Sequence, residues 1–249
     1  PVGIQCNRLE GNFLNILWHR TFYRNLNKCF DLAGIAIAEM YLAPMVLADS
    51  VLTDSEKRSG CVLVDLGAES TTVSVYYKNI LRHLAVIPLG SNNITKDIAS
   101  LQMEEADAEK MKIKYASAYT DNNDIDNSLM LSIDAERQIE SRKFIEVVEA
   151  RVEEIIENVW FQVPAEYANN LLGGIILTGG GSNLKNIEFS QRHTVKKNSY
   201  VFHEPLNDLT KLHCGGDFNT KPNVWLLLLS YLPHVTFRQI PPSSCTFRH

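Results

Sequence analysis

The sequence predicts an α/β fold, and three observations predict it. Short apolar strands stop at Asp/Gly or triple-glycine turns, two adjacent strands are joined by a tight polar turn, and a long amphipathic helix lies between the two glycine turns. The chain has 249 residues, of which 45% are hydrophobic and 21% charged, enough for one large domain or two smaller ones with their own cores. A formal net charge of -5 with no basic block argues against a nucleic-acid partner. The five cysteines are scattered and form no CxxC pair, so neither a zinc site nor a disulfide framework is expected. The most apolar late stretch, Val224 to Leu232, falls well short of the roughly 20 residues a membrane span takes. The sequence opens at Pro1 in mid-pattern and is read as a piece of a longer protein.

Taken in order, Asn12 to Trp18 reads as a strand, and Thr21 to Leu32 as a helix with Phe22, Leu26, Cys29 and Phe30 on one side and a stop at Gly34. Ile35 to Leu42 is strand-like. Pro44 opens a short helix, since its missing N–H is not needed there, and that helix fades into the polar run Thr53 to Gly60. Cys61 to Leu66, Thr72 to Tyr77 and Leu81 to Pro88 are three successive strands, the last two joined at Lys78-Asn79. Helices are expected over Ser91 to Leu101 and Glu104 to Ser117, a loop over Tyr119 to Asn127, and the longest helix over Glu136 to Val163. On that last helix Phe144, Val148, Val152, Ile155, Ile156 and Val159 form an apolar stripe, leaving an acidic face for solvent. Gly174 to Leu177 is a strand that turns at Thr178-Gly-Gly-Gly181 into a helix from about Ser182.

Three places carry chemistry. In the turn after Val64, Asp65 and Gly67 set a carboxylate beside N–H groups of Ala68, Glu69 and Ser70 that can face an anion, and Ser70 and Thr71 add hydroxyls. Asp65 would suit a magnesium ion held through water. In the second turn, Gly179, Gly180, Gly181 and Ser182 let a ligand approach the main chain; the spacing is neither that of a dinucleotide fingerprint nor of a P-loop. In the third, Glu109 and Lys112 project from one helix face, where they can meet ribose hydroxyls and a purine edge. Singly, each has a plain reading as well: a hairpin turn, a tight turn, a surface ion pair.

Their order resembles the second half of the actin/Hsp70/sugar-kinase nucleotide-binding fold. Within it, the segments Pro1 to Gly11, Tyr41 to Tyr76, Leu81 to Ala99, Asp107 to Ala118 and Gly173 to Ile187 resemble the FtsA family of actin-like cell-division proteins. The resemblance implies bound ATP and Mg2+, with the Asp65 turn as second phosphate loop, Glu109 and Lys112 on the ribose/adenine helix, and Gly179 to Ser182 as the adenosine loop. It implies residues 1–34 as the end of subdomain 1C and 35–59 as the closing strand and helix of 1A. Residues 60–88 with 173–231 would be subdomain 2A and 89–172 subdomain 2B, leaving 232–249 as a divergent or disordered tail. The implied partners are the FtsZ C-terminal tail through 2B, further copies in a filament, and other division proteins through 1C. The implied location is the cytoplasmic face of the inner membrane at the septum, reached by an anchor absent from this chain.

Ala68 and Glu69 stand where that family usually has glycines. A Glu69 carboxylate roughly 6 Å from a phosphate oxygen would cost about 2–3 kcal/mol at an effective dielectric near 20, and almost nothing if turned outward. The family's first phosphate loop precedes these residues, so the resemblance implies at most weak hydrolysis by the full-length protein, and weak ATP binding without hydrolysis by the chain alone. A sugar or acetate kinase would need a catalytic carboxylate, for which Asp65 is the only candidate and is followed by no sugar-binding cluster. A rod-shape or pilus-assembly relative is the remaining alternative.

Overall fold

The computed structural model describes residues 3–187 except 4, 6, 9, 12, 18, 39, 122–128 and 135–136. The expectations for 188–249, including the Val224 stretch and the tail, lie outside the described residues. Two compact units part between Ile37 and Ala38.

In the first unit, α1 (Arg20–Leu32) forms where the apolar spacing placed it, with Phe22, Leu26 and Phe30 half-buried. It ends in a Schellman arrangement at Gly34: the N–H of Gly34 donates to Asp31 O at 3.1 Å and that of Ile35 to Phe30 O at 2.9 Å. The strand expected over 12–18 is not formed in its described residues, nor is that over 35–42. Both readings took apolar content for strand; Phe13 is 79% exposed and Leu17 58%, so neither packs against the ladder partner a strand requires.

In the second unit, α2 (Ala43–Val51) starts with Pro44 in its first turn, but it does not fade. The chain breaks at Leu52 and restarts as α3 (Asp54–Ser59) through a capping box. The Thr53 N–H and hydroxyl both donate to the Glu56 carboxylate at 2.7 Å, while the Glu56 N–H donates back to Thr53 Oγ1 at 3.3 Å. Thr-x-x-Glu is a helix-start signal that the polarity of the run had hidden.

Strands β1 (Cys61–Leu66), β2 (Thr71–Tyr77) and β3 (Ile80–Ile87) form the expected antiparallel succession. Lys78 and Asn79 both take positive φ (55° and 61°), the hand a two-residue hairpin turn needs. Strand β6 (Gly174–Thr178) joins β1 in parallel, giving the sheet order β3-β2-β1-β6. Between β3 and β6 come α4 (Ser91–Ala99), α5 (Glu105–Tyr115), the short hairpin β4 (Met130–Ser132) and β5 (Gln138–Glu140), α6 (Ser141–Gln162) and α7 (Ala165–Ala168). The long helix thus begins five residues later than its expected start at 136: residues 138–140 pair as β5 instead, with Ile139 buried and its neighbours exposed in strand alternation.

One face of the sheet, carrying Val62, Val64, Val73, Val75, Ile175 and Leu177, shares a core with the α6 stripe. Phe144, Val148 and Val152 are at most 2% exposed, so this burial supplies most of what holds the helix in place. Arg151 of α6 forks onto the Asp97 carboxylate of α4, one arm at 3.1 Å, tying the helix that flanks the site to the one that fills the core.

Candidate functional site

Asp65 lies one residue from the end of β1, flanked in the ladders by Thr72 and Thr178. Burial pushes its carboxyl above the ordinary carboxylate range. Beyond it, Gly67 to Ser70 turns tightly, the Gly67 N–H donating to Ser70 O at 3.0 Å. The turn is held by its carbonyls: Gly67 O and Ala68 O accept the N–H groups of Ser91 and Asn92 at 2.9 and 2.8 Å, satisfying two orphan donors at the start of α4. Gly90 permits this approach, since a β-carbon there would stand 2.3 Å from Ala68 O. The Thr71 hydroxyl donates to Leu89 O at 2.7 Å with Thr71 fully buried, so its expected part as a ligand donor is taken up by the fold.

Neither Ala68 nor Glu69 needs glycine's backbone, for neither has a positive φ. The Glu69 carboxylate is turned onto α4, accepting from Asn92 Nδ2 at 2.6 Å with Lys96 Nζ 3.6 Å away.

On α5, Lys112 is 9% exposed and its ammonium is fully engaged. It donates to Glu109 Oε2 at 2.7 Å, Thr95 Oγ1 at 2.8 Å and Ser91 O at 3.2 Å, three acceptors for three protons. Thr95 in turn donates to Glu109 Oε2 at 2.6 Å. Burial acts to raise the Glu109 carboxyl, but the hydrogen bonds from Lys112 and Thr95 and the Lys112 charge outweigh it, and the pKa lies below its ordinary 4.5. A carboxyl lowered in the folded state contributes stability that is present above its ordinary pKa and is lost as pH falls through the lowered value. Urea midpoints taken from about pH 6 down to about pH 3 should therefore fall further in the wild type than in Glu109→Gln, with the excess confined to the region below 4.5. Parallel curves would show that the ion pair contributes nothing.

After β6 the chain makes a single 3-10 turn, Gly180–Asn183, rather than the helix expected from Ser182. The turn is closed by Ser182 itself, whose hydroxyl donates to Gly179 O at 2.6 Å and whose side chain is buried. Residues 117–119 then dock on 185–186: the Ala118 N–H donates to Lys185 O at 2.7 Å, and Asn186 Nδ2 to Ser117 Oγ and Tyr119 O.

These elements enclose a cleft of about 420 Å³. Five of the expected residues line it: Ala68, Glu109, Lys112, Gly180 and Gly181. Asp65, Gly67, Glu69, Ser70, Gly179 and Ser182 do not, standing behind or beside the lining. Ser91, Asn92, Ile113, Ala116, Asn183 and Lys185 also line it and were missed. Ile113 follows Glu109 by four residues and Ala116 follows Lys112 by four, so helical spacing could have found both. Ser91 and Asn92 arrive through the docking of the 67–70 turn, which leaves no local signal. Among the described residues no group of three or more His, Cys, Asp or Glu is placed to hold a metal. No described helix is long and apolar enough to cross a membrane.

Solved structures of other proteins share this architecture. The MreB5 protein of Spiroplasma citri bound to AMPPNP superposes with a TM-score of 0.60 at 17% identity, over 74% of this chain and 60% of that one. The PilM–PilN type IV pilus biogenesis complex gives 0.51 at 17% identity, over 74% and 47%. The fold is that of the actin-like proteins. The family model for cell division protein FtsA matches residues 62–208. Cell division protein FtsA of Bacillus subtilis is 32% identical over 198 residues, 78% of this chain and 45% of that protein. That of Porphyromonas gingivalis is 32% identical over 188 residues, 74% of this chain and 39% of that protein. The chain belongs to the FtsA family of cell-division proteins and spans less than half the length of these relatives.

Proposed function

We propose that the cleft is half of an ATP site in an actin-like protein that polymerises and links FtsZ filaments to the inner membrane at the septum. The observation that carries this reading is the convergence of the Ala68 turn, the Glu109–Lys112 pair and the Gly180–Gly181 turn on one cleft. Ala68 and Glu69, whose N–H groups donate to no main-chain carbonyl among the described residues, offer them to phosphate oxygens. At Gly180 a β-carbon would meet nothing within 4 Å among the described residues, which leaves its main chain open to a nucleoside. Ile113, 72% exposed on the cleft wall, provides an apolar surface for a purine. Glu109 accepts from ribose hydroxyls.

Mg2+ fits the donor set as an ion that keeps most of its water. One half-buried carboxylate, Asp65, stands beside the phosphate turn, and its raised pKa is what a nearby dication would offset. The ion would neutralise phosphate charge. Asp65→Asn tests this: with the partly desolvated charge removed, the nucleotide-free variant should melt higher than the wild type at pH 7, because a carboxyl raised by desolvation costs stability once ionised. The same variant should lose the Mg2+ dependence of binding to a fluorescent ATP analogue. A variant that binds with an unchanged Mg2+ dependence would remove Asp65 from the site.

Subdomain 2A is assigned to residues 60–88 and 173–231 and 2B to 89–172, with the end of 1C over 1–34 and the close of 1A over 35–59. The FtsZ tail is assigned to 2B, and other division proteins to 1C. Charge reversal at the exposed Glu153 and Glu157 of α6 should weaken co-sedimentation with FtsZ and leave nucleotide binding intact. Undiminished co-sedimentation would move the FtsZ site elsewhere.

A further inference from the structure

Thr95 is a buried polar residue on α4, 3% exposed, one helix away from the pair it serves. Its hydroxyl has one proton and two lone pairs. Lys112 Nζ donates to its oxygen at 2.8 Å, and its own proton goes to Glu109 Oε2 at 2.6 Å in preference to Ser91 O at 3.4 Å. Glu109 Oε2 therefore receives two donors from two different helices, Thr95 on α4 and Lys112 on α5. The other oxygen, Oε1, accepts no hydrogen bond among the described residues, and Glu109 lines the cleft. A pinned oxygen leaves the carboxylate little freedom beyond rotation about it, so the position of Oε1 is set by Thr95 as much as by Glu109.

We propose that Thr95 is a positioning residue that makes the cleft select ribose over deoxyribose, by fixing the Glu109 carboxylate with Oε1 aimed at the sugar. This rests on the nucleotide reading above, in which Glu109 meets the ribose, and adds the residue that positions Glu109. An ionised carboxylate only accepts, and the vicinal hydroxyls of ribose are donors. A sugar without the hydroxyl it faces leaves Oε1 desolvated and unpaired, which discriminates more strongly than the loss of a bond alone. Lys112, with its three protons spent inside the chain, acts on the ligand through Glu109.

The test compares ATP, 2′-deoxyATP and 3′-deoxyATP on the whole chain by calorimetry, in the wild type, Thr95→Val and Thr95→Ser. Valine keeps the shape and removes the hydroxyl; serine keeps the hydroxyl. The wild type should prefer ATP by about tenfold or more over at least one deoxy analogue, the scale of a hydrogen bond to a charged group. Thr95→Val should bring that ratio to about twofold or less, chiefly by weakening ATP, and Thr95→Ser should restore it. A wild type that binds all three equally keeps the nucleotide reading and overturns this one. Equal weakening of all three in Thr95→Val, which a merely structural role would give, also overturns it. Failure of the wild type to bind any of them overturns both readings. Should the valine variant not fold, the wild-type ratio and that of the serine variant still decide.

Discussion

Gly179→Ala is expected to destabilise the second unit by about 3–5 kcal/mol, while Gly180→Ala, one residue on, should change stability by no more than about 0.5 kcal/mol. Gly179 has φ 90° and ψ 167°, a region essentially closed to residues with a β-carbon. The added carbon would also stand 2.5 Å from both Asp65 Oδ1 and Leu66 O. One of these obstacles is main chain inside β1, so relief would require moving the strand that carries the Gly67–Ser70 turn. Gly180 has open space where its β-carbon would go, on the cleft side. Its alanine variant should fold normally and bind the ATP analogue less tightly. Urea unfolding and a binding titration of the two variants separate the roles; equal stability losses would show that the turn is not built as described.

The second large effect is expected from Lys112→Met, which keeps most of the stem and removes the ammonium. Ser91 O, the Thr95 hydroxyl and the Glu109 carboxylate would lose their common donor. Breaking a buried pair from one side costs about 3–5 kcal/mol, because the remaining charge is left unpaired. Glu109 is 42% exposed and can rehydrate in part, which lowers the expectation to about 2–3 kcal/mol. Adding Glu109→Gln should recover part of the loss, since the orphaned charge goes with it, and the cycle of single and double variants measures the coupling. Additive losses would mean that the two side chains do not act as a pair.

The two glycine turns illustrate how far the sequence carried the site. Strand-then-glycine is local, and both turns are where that pattern placed them. What was not legible is the division of labour within Gly179 to Ser182. Three glycines read alike, yet Gly179 is required by its conformation, Gly181 by the Leu66 side chain 2.5 Å from where its β-carbon would be, and Gly180 by nothing among the described residues. Ser182 was grouped with the glycines as part of the ligand turn; its hydroxyl closes the turn instead of facing the cleft. Lys112 was legible as the partner of Glu109, three residues on, but its other acceptors, Thr95 and Ser91, sit on a helix that only tertiary packing brings near. In the fold, the strands expected over 12–18 and 35–42 failed because apolar content fixes no pairing, while α6 was found from its stripe and mistaken only at its start. There Gln138–Glu140 pairs with Met130–Ser132, a choice made by the partner strand and not by propensity.

The parallel pairing of β1 with β6 joins Cys61 to Gly174, positions more than a hundred residues apart in the chain. A ribosome at about 5–20 residues per second delivers β1, β2 and β3 several seconds before the strand that closes their open side. For that interval β1 exposes unsatisfied peptide groups beside the apolar Val62 and Val64, an invitation to pair with another nascent chain. Synthesis of this protein therefore has a window in which a chaperone, or the early collapse of α6 onto the half-made sheet, decides between maturation and aggregation.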